Sequence, residues 1–155
     1  MSEKMLNINL EQGKRKRFTI DGDENRILEI NPSDMGIFAR IDDFDKAIIP
    51  ALEEFSEKQF GGTDEDFDLW AMGKAMLELD KFVREQLDIM FDTNFSEIVA
   101  PHGTMLDPVN GDFRFQYLIE VFSKVYNDEF QKELTKRNDK IRERTKKYVN
   151  KVNKE

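Results

Sequence analysis

Apolar positions along this chain recur with two different periods, and the changes between them locate the elements. RFTI at 17–20 and NRILEI at 25–30 have strand character and flank DGDE at 21–24. Residues 17–30 therefore read as a β-hairpin with a four-residue loop. Two strands are rarely stable alone in water, so this hairpin must lean on helices or on another subunit.

From Asn31 the period becomes helical. Asn31-Pro32-Ser33-Asp34 is a helix-start signal with Ser33 as the expected N-cap. Phe38, Ile41, Phe44, Ile48, Leu52 and Phe55 then fall on one face at steps of three or four. Pro50 interrupts this pattern and predicts a kink or break near Ile49, and Gly61-Gly62 ends the segment. Thr63-Asp64-Glu65-Asp66 opens a second helix with acids in its first turn, where the helix dipole favours them. Its apolar face is Met72, Met76, Leu79, Val83, Leu87 and Met90, widened by Trp70, Ala75 and Phe82.

FSEIVA gives a short helical turn up to Pro101, and two Pro and two Gly make 101–112 a loop. A last helix starting near Asp112 carries Phe115, Leu118, Val121, Phe122, Val125 and Phe130. The apolar pattern nearly stops after Leu134, which leaves a solvated helical extension or a disordered tail. The expected architecture is mainly α: a flexible N-terminus over 1–16, a single domain over 17–134, and a basic tail over 135–155. The domain holds the hairpin and helices at about 33–60, 63–91, 94–100 and 112–134.

Composition sharpens this picture. Hydrophobic residues are 39% and charged residues 36% of the 155, so the core must draw its area from 13 Phe, one Trp and three Tyr. With no Cys, disulfides, thiolate metal sites and cysteine nucleophiles are excluded. No window approaches the ~18 apolar residues of a membrane span, and the N-terminus lacks a signal-peptide core, so a cytoplasmic protein is expected. The net charge of −8 is uneven. Residues 132–155 carry ten Lys/Arg against four acids, a local +6 that leaves −14 on the rest. Such asymmetry suits a tail that meets an acidic surface.

Motifs for catalysis do not emerge. His102 is the sole histidine and lies in the Pro/Gly loop, without the second His or Cys that a common zinc site or triad needs. The acids at 64, 65, 66 and 68 suggest a calcium loop, but Leu69 stands where an EF-hand needs Gly and Ala75 where it needs Glu. Phosphate-binding loops, nucleophile elbows and dinucleotide fingerprints are missing. No catalytic, cofactor-binding or metal residue is predicted. Lys14-Arg15-Lys16-Arg17 and the tail could each neutralise phosphates, but the overall acidity and a sequence pI near 4.9 argue against nucleic acid.

Protein binding remains as the expected function. Edge pairing by the hairpin would engage Phe18, Ile20, Ile27 and Leu28, and the adaptable Met72, Met76 and Met90 mark a helical face. Phe113 and Tyr117 belong to a third surface, bordered by cations.

The order of these features resembles the small tail assembly chaperone-like proteins of long-tailed phages and prophages of Gram-positive bacteria. The resemblance lies in the hairpin, the NPSD helix from Asn31 to Phe44, and the acidic long helix ending in VREQLDIMFDTNFSEIVAP at 83–101. In that family a segment I-D-x-x-F-G-x-x-x-S-x-x-I-F-G closes the long helix. Leu87-Asp88-Ile89-Met90-Phe91-Asp92 and Ser96-Glu97-Ile98-Val99 match most of it, with Asp92 in place of the first Gly and Ala100 near the second. The resemblance implies a homo-oligomeric helical chaperone in the cytoplasm of a bacterial host. It would bind the tape measure protein and tail-tube protein, with no cofactor. The competing expectations are a nucleic-acid-binding regulator using its basic ends and a structural component that stays in the tail.

Overall fold

The computed structural model describes residues 3–8, 15–60 and 68–153. The chain is mainly α, as the patterning predicts. Its elements are β1 (Lys16–Ile20), β2 (Asp23–Ile30), α1 (Ile37–Phe60), α2 (Leu69–Phe91), α3 (Phe95–Val99), β3 (Pro108–Val109), β4 (Asp112–Phe113) and α4 (Arg114–Asn153).

The hairpin turns more tightly than expected. Asp21 and Gly22 alone form the loop, with φ of 54° and 72°, and Ile20 pairs with Asp23. Two successive positive φ values are the geometry whose backbone twist matches a hairpin, and Asp-Gly is the dipeptide that tolerates it. Phe18 pairs with Leu28 and turns inward, whereas Thr19 pairs with Ile27 on the other face. Leu28 and Ile30 are buried, and Phe18 and Ile20 pack against the core. The hairpin is thus braced by the helices of its own chain.

Helices α1 and α2 both start later than expected, and an expected break is absent. Helix α1 begins at Ile37 rather than at Ser33, because Asn31 and Asp34 shape a turn first. The Asn31 side chain accepts the Ser33 N–H at 3.1 Å, and Asp34 accepts the Gly36 N–H at 3.1 Å. The expected break at Pro50 does not occur, and α1 runs through it. Pro50 is exposed while Phe44 and Ile48 are buried, so packing on the inner face outweighs an interior-proline cost of ~3 kcal/mol. The expected start of α2 at 63–66 lies outside the described residues, as do the Gly-Gly stop, residues 1–2 and 9–14 of the N-terminus, and the last two residues. What is described shows α2 starting at Leu69, capped by Asp68. The Asp68 carboxylate accepts the Trp70 and Ala71 N–H groups at 3.0 and 3.4 Å.

The expected loop at 101–112 contains a miniature hairpin, β3–β4, which sequence patterning missed because each strand has two residues. Its turn, Asn110-Gly111, again places both φ values positive, at 52° and 85°. The basic tail continues α4 without interruption, so the tail is helical through Asn153.

Phe122 organises the core. Its ring meets Phe18 of β1 at 5.4 Å, Phe91 of α2 at 5.6 Å and Phe95 of α3 at 5.5 Å, each edge to face. Phe91 and Phe95 stack on one another at 4.0 Å. Elsewhere on α4, Phe115 meets Phe44 of α1 and Phe130 meets Phe38 of α1. Helix α4 is therefore fixed by rings spaced along its first half. We expect Phe122→Ala to destabilise the chain by about 3–5 kcal/mol in chemical denaturation. A loss below about 1 kcal/mol would contradict its place at the centre of the core.

Candidate functional site

Helix α2 is divided into two unlike halves. From Leu79 to Phe91 it supplies Leu79, Val83, Leu87, Met90 and Phe91 to the core. From Leu69 to Glu78 it buries no residue, yet this half is rich in large apolar side chains. Leu69 is 70% exposed, Trp70 85% and Leu77 62%. Together with Gly73 and Lys74 they line a shallow apolar depression of about 540 Å³.

Helical geometry gives this surface its order. Leu69, Gly73 and Leu77 lie on one row at steps of four, and Trp70, Gly73 and Met76 lie on a row at steps of three. The two rows cross at Gly73, where a Cβ would meet nothing within 4 Å. The chain's own packing gives no reason for glycine there, and mid-helix glycine costs roughly 1 kcal/mol relative to alanine. A notch at the crossing of two apolar rows is a place where a second helix can approach closely.

The lower half of α2 is held by charged groups turned inward. Buried Asp80 accepts the Met105 N–H at 2.6 Å and the Arg84 Nε–H at 2.9 Å. Arg84 also donates to the carbonyls of Ala100 at 2.8 Å and Gly103 at 3.0 Å, which clamps the loop after α3 onto α2. Asp88 accepts the Ser96 N–H at 2.7 Å and so caps the start of α3. Arg26 of β2 donates to the carbonyls of Ile98 at 3.0 Å and Val99 at 2.9 Å at its other end. Asp92 is left-handed at φ 52° and terminates α2. The 83–101 segment is thus a structural device, and its polar residues serve backbone groups.

The residues expected at interaction surfaces divide in the structure. Leu28 and Met90 are 0% and 1% exposed, so both are core side chains and neither can meet a partner in the folded chain. Phe18, Ile20 and Met76 are partly buried against the core. Ile27 and Met72 are half-buried, and Phe113 is exposed and stacks on Phe115 at 5.5 Å. Tyr117 and Ile20 border a mixed cleft of about 390 Å³ with Arg26, His102 and Arg114. The cations there are committed to the fold, since Arg114 Nη1 donates to the His102 carbonyl at 3.0 Å. Sequence reading passed over Gly73, Leu69 and Leu77. The available signal was a glycine inside a strong helical pattern, which requires a packing reason.

No group of His, Asp and Glu side chains able to hold a metal ion forms among the described residues, and no helix among them is long and apolar enough to cross a membrane. The chain matches no family model, no curated protein and no solved structure.

Asp107 locks the loop beneath the cleft. It accepts the Thr104 hydroxyl at 2.7 Å and the Thr104 N–H at 3.1 Å, with Arg114 at 3.6 Å. A Cβ at Gly103, whose φ is +76°, would lie 2.5 Å from the same carboxylate. The hydrogen bonds from Thr104, hydroxyl first, hold the Asp107 carboxyl below its ordinary pKa of 3.8, with Arg114 assisting. A depressed carboxylate stabilises the fold above its unfolded pKa, and that contribution disappears as pH falls through the folded value. Denaturation across pH should show wild type more stable than Asp107→Asn at neutral pH, with the gap closing below about pH 3.8. A gap that persists unchanged into that acid range would contradict this assignment.

Proposed function

We propose that this chain is a non-enzymatic assembly factor that self-associates through the N-terminal half of α2 and binds other proteins, in the manner of a tail assembly chaperone. The observation that carries the self-association is the apolar crossing at Gly73. About this residue Leu69 and Leu77 are symmetric at four positions, and Trp70 and Met76 at three. An antiparallel two-fold crossing of two copies therefore sets Leu69 against the partner's Leu77 and Trp70 against the partner's Met76. Such an isologous contact closes on itself as a dimer. An exposed Trp belongs to the residue class that anchors protein interfaces, and the flanking Leu side chains add apolar area around it.

The chaperone role is supported by the resemblance in element order and in the 83–101 segment. An assembly factor must leave its client, and surfaces presented on helix halves whose large apolar side chains are mostly exposed suit reversible contacts. On this reading the clients are the tape measure protein and the tail-tube protein, and the site of action is the bacterial cytoplasm.

The test joins two measurements. Size exclusion with light scattering should show wild type moving toward dimer as concentration rises, and Trp70→Ser remaining monomeric. Gly73→Ala should raise monomer stability by roughly 0.5–1 kcal/mol and weaken association, because the added methyl fills the notch. Co-expression should retain a tape measure protein in the soluble fraction. A wild-type chain that stays monomeric at high micromolar concentration contradicts the α2 contact, and failure to hold either client contradicts the chaperone role.

A further inference from the structure

The second half of α4 is a helix with nothing beneath it. Every residue from Gln131 to Asn153 is exposed, so about 34 Å of helix stands clear of the core. Its charge pattern gives it mixed support in isolation, with Glu133/Arg137 and Glu143/Lys147 as opposite-charge pairs four residues apart. Cations face cations four residues apart at 132/136, 136/140, 140/144, 142/146 and 147/151, and such pairs destabilise a helix. One ion pair forms along this stretch among the described residues, Lys136 with Glu133 at 3.5 Å.

A heptad underlies these charges. Leu134, Ile141 and Tyr148 recur at steps of seven, and they are exposed by 38%, 54% and 71%. With these at d, the a positions are Asn138, Thr145 and Val152, which gives a narrow seam of period 3.5. The flanking g positions are Arg137, Arg144 and Lys151, and the e positions are Thr135, Arg142 and Val149. The acids Glu133, Asp139 and Glu143 all fall at b, c or f, outside the flanking positions, and of them Glu133 alone reaches the concavity at the seam's inner end. At its inner end the seam opens into a concavity of about 690 Å³ bordered by Met35, Phe130, Leu134, Arg137, Ile141 and Arg144.

We propose that this half of α4 is a docking helix for an acidic amphipathic helix of another protein, held as a two-stranded coiled coil. Charge decides the occupant. Two copies of this helix would set Arg137 against the partner's Arg142 when parallel, and cations at g against cations at g when antiparallel, with no acid to compensate. A helix with Glu or Asp at e and g meets cations at all three g positions and at Arg142, and no acid at either flank. The polar a positions make the contact weak and fix its register, and the concavity at Met35 and Phe130 receives the end of the incoming helix. The proposal goes beyond the α2 contact and does not depend on the tail-assembly reading.

The full chain should be titrated with a synthetic peptide of four heptads carrying Leu at a and d and Glu at e and g. Controls are a scrambled isomer and single-stranded oligothymidylate. The triple variant Leu134→Ser, Ile141→Ser, Tyr148→Ser leaves every charge in place and touches no core residue, and a thermal melt checks its fold. Calorimetry should show binding of the heptad peptide that weakens with salt, little binding of the isomer, and a loss of about tenfold or more in the variant. Equal binding of isomer and heptad peptide, or retention by the variant, overturns the proposal in favour of simple polyanion attraction. Tighter binding of the oligonucleotide overturns it in favour of nucleic acid. Concentration-dependent self-association that the triple variant abolishes overturns it in favour of a second copy.

Discussion

The insertion of Phe122 between the hairpin and the junction of α2 with α3 is the contact on which the rest of the molecule depends. The chain has little apolar area for its length, with 36% charged residues, and it concentrates that area in rings. One phenylalanine on α4 meets Phe18, Phe91 and Phe95 at once, so a single side chain ties three other elements together. Edge-to-face pairs add about 0.5–1.5 kcal/mol each beyond area burial. The same ring explains why an eight-residue strand and a five-residue strand persist, since Leu28 and Ile30 complete the core around it.

Around that core, charge is used inward as well as outward. Arg26, Arg40 and Arg84 donate to backbone carbonyls at the ends of α2 and α3, where helix termini leave acceptors without partners. Asp80 and Asp88 accept the N–H groups of Met105 and Ser96 from the same region. No buried side-chain polar atom among the described residues lacks a partner. A highly charged chain can therefore fold around a small core without stranding its charges, and the outer halves of α2 and α4 are left with most of their side chains exposed.

Much of this fold was legible in the sequence. The helical period of Met72–Met90, the DGDE stretch and the Pro/Gly loop locate α2, the hairpin and the 101–112 segment, although the hairpin's turn is two residues rather than four. Boundaries were less so, because the Asn31 and Asp34 side chains serve turns before α1 begins, and because packing carries α1 through Pro50. The interaction surfaces were misread where burial decides. An apolar stripe does not reveal which of its residues a neighbour covers, so Leu28 and Met90 looked like candidates while Leu69 and Leu77 did not. The tail reads as a charged run until its helicity is known. Only then do Leu134, Ile141 and Tyr148 fall into line.

Helix α4 is one helix with two physical states along it, anchored by rings up to Phe130 and unsupported beyond. Hydrogen exchange resolved along the free chain at low concentration measures this directly. Amides at about 115–130 should be protected near the global stability, with a fall of several orders of magnitude across Gln131 to Asn153. Uniform protection to the end of α4 would contradict it, since the outer half would then be packed against something within the chain itself.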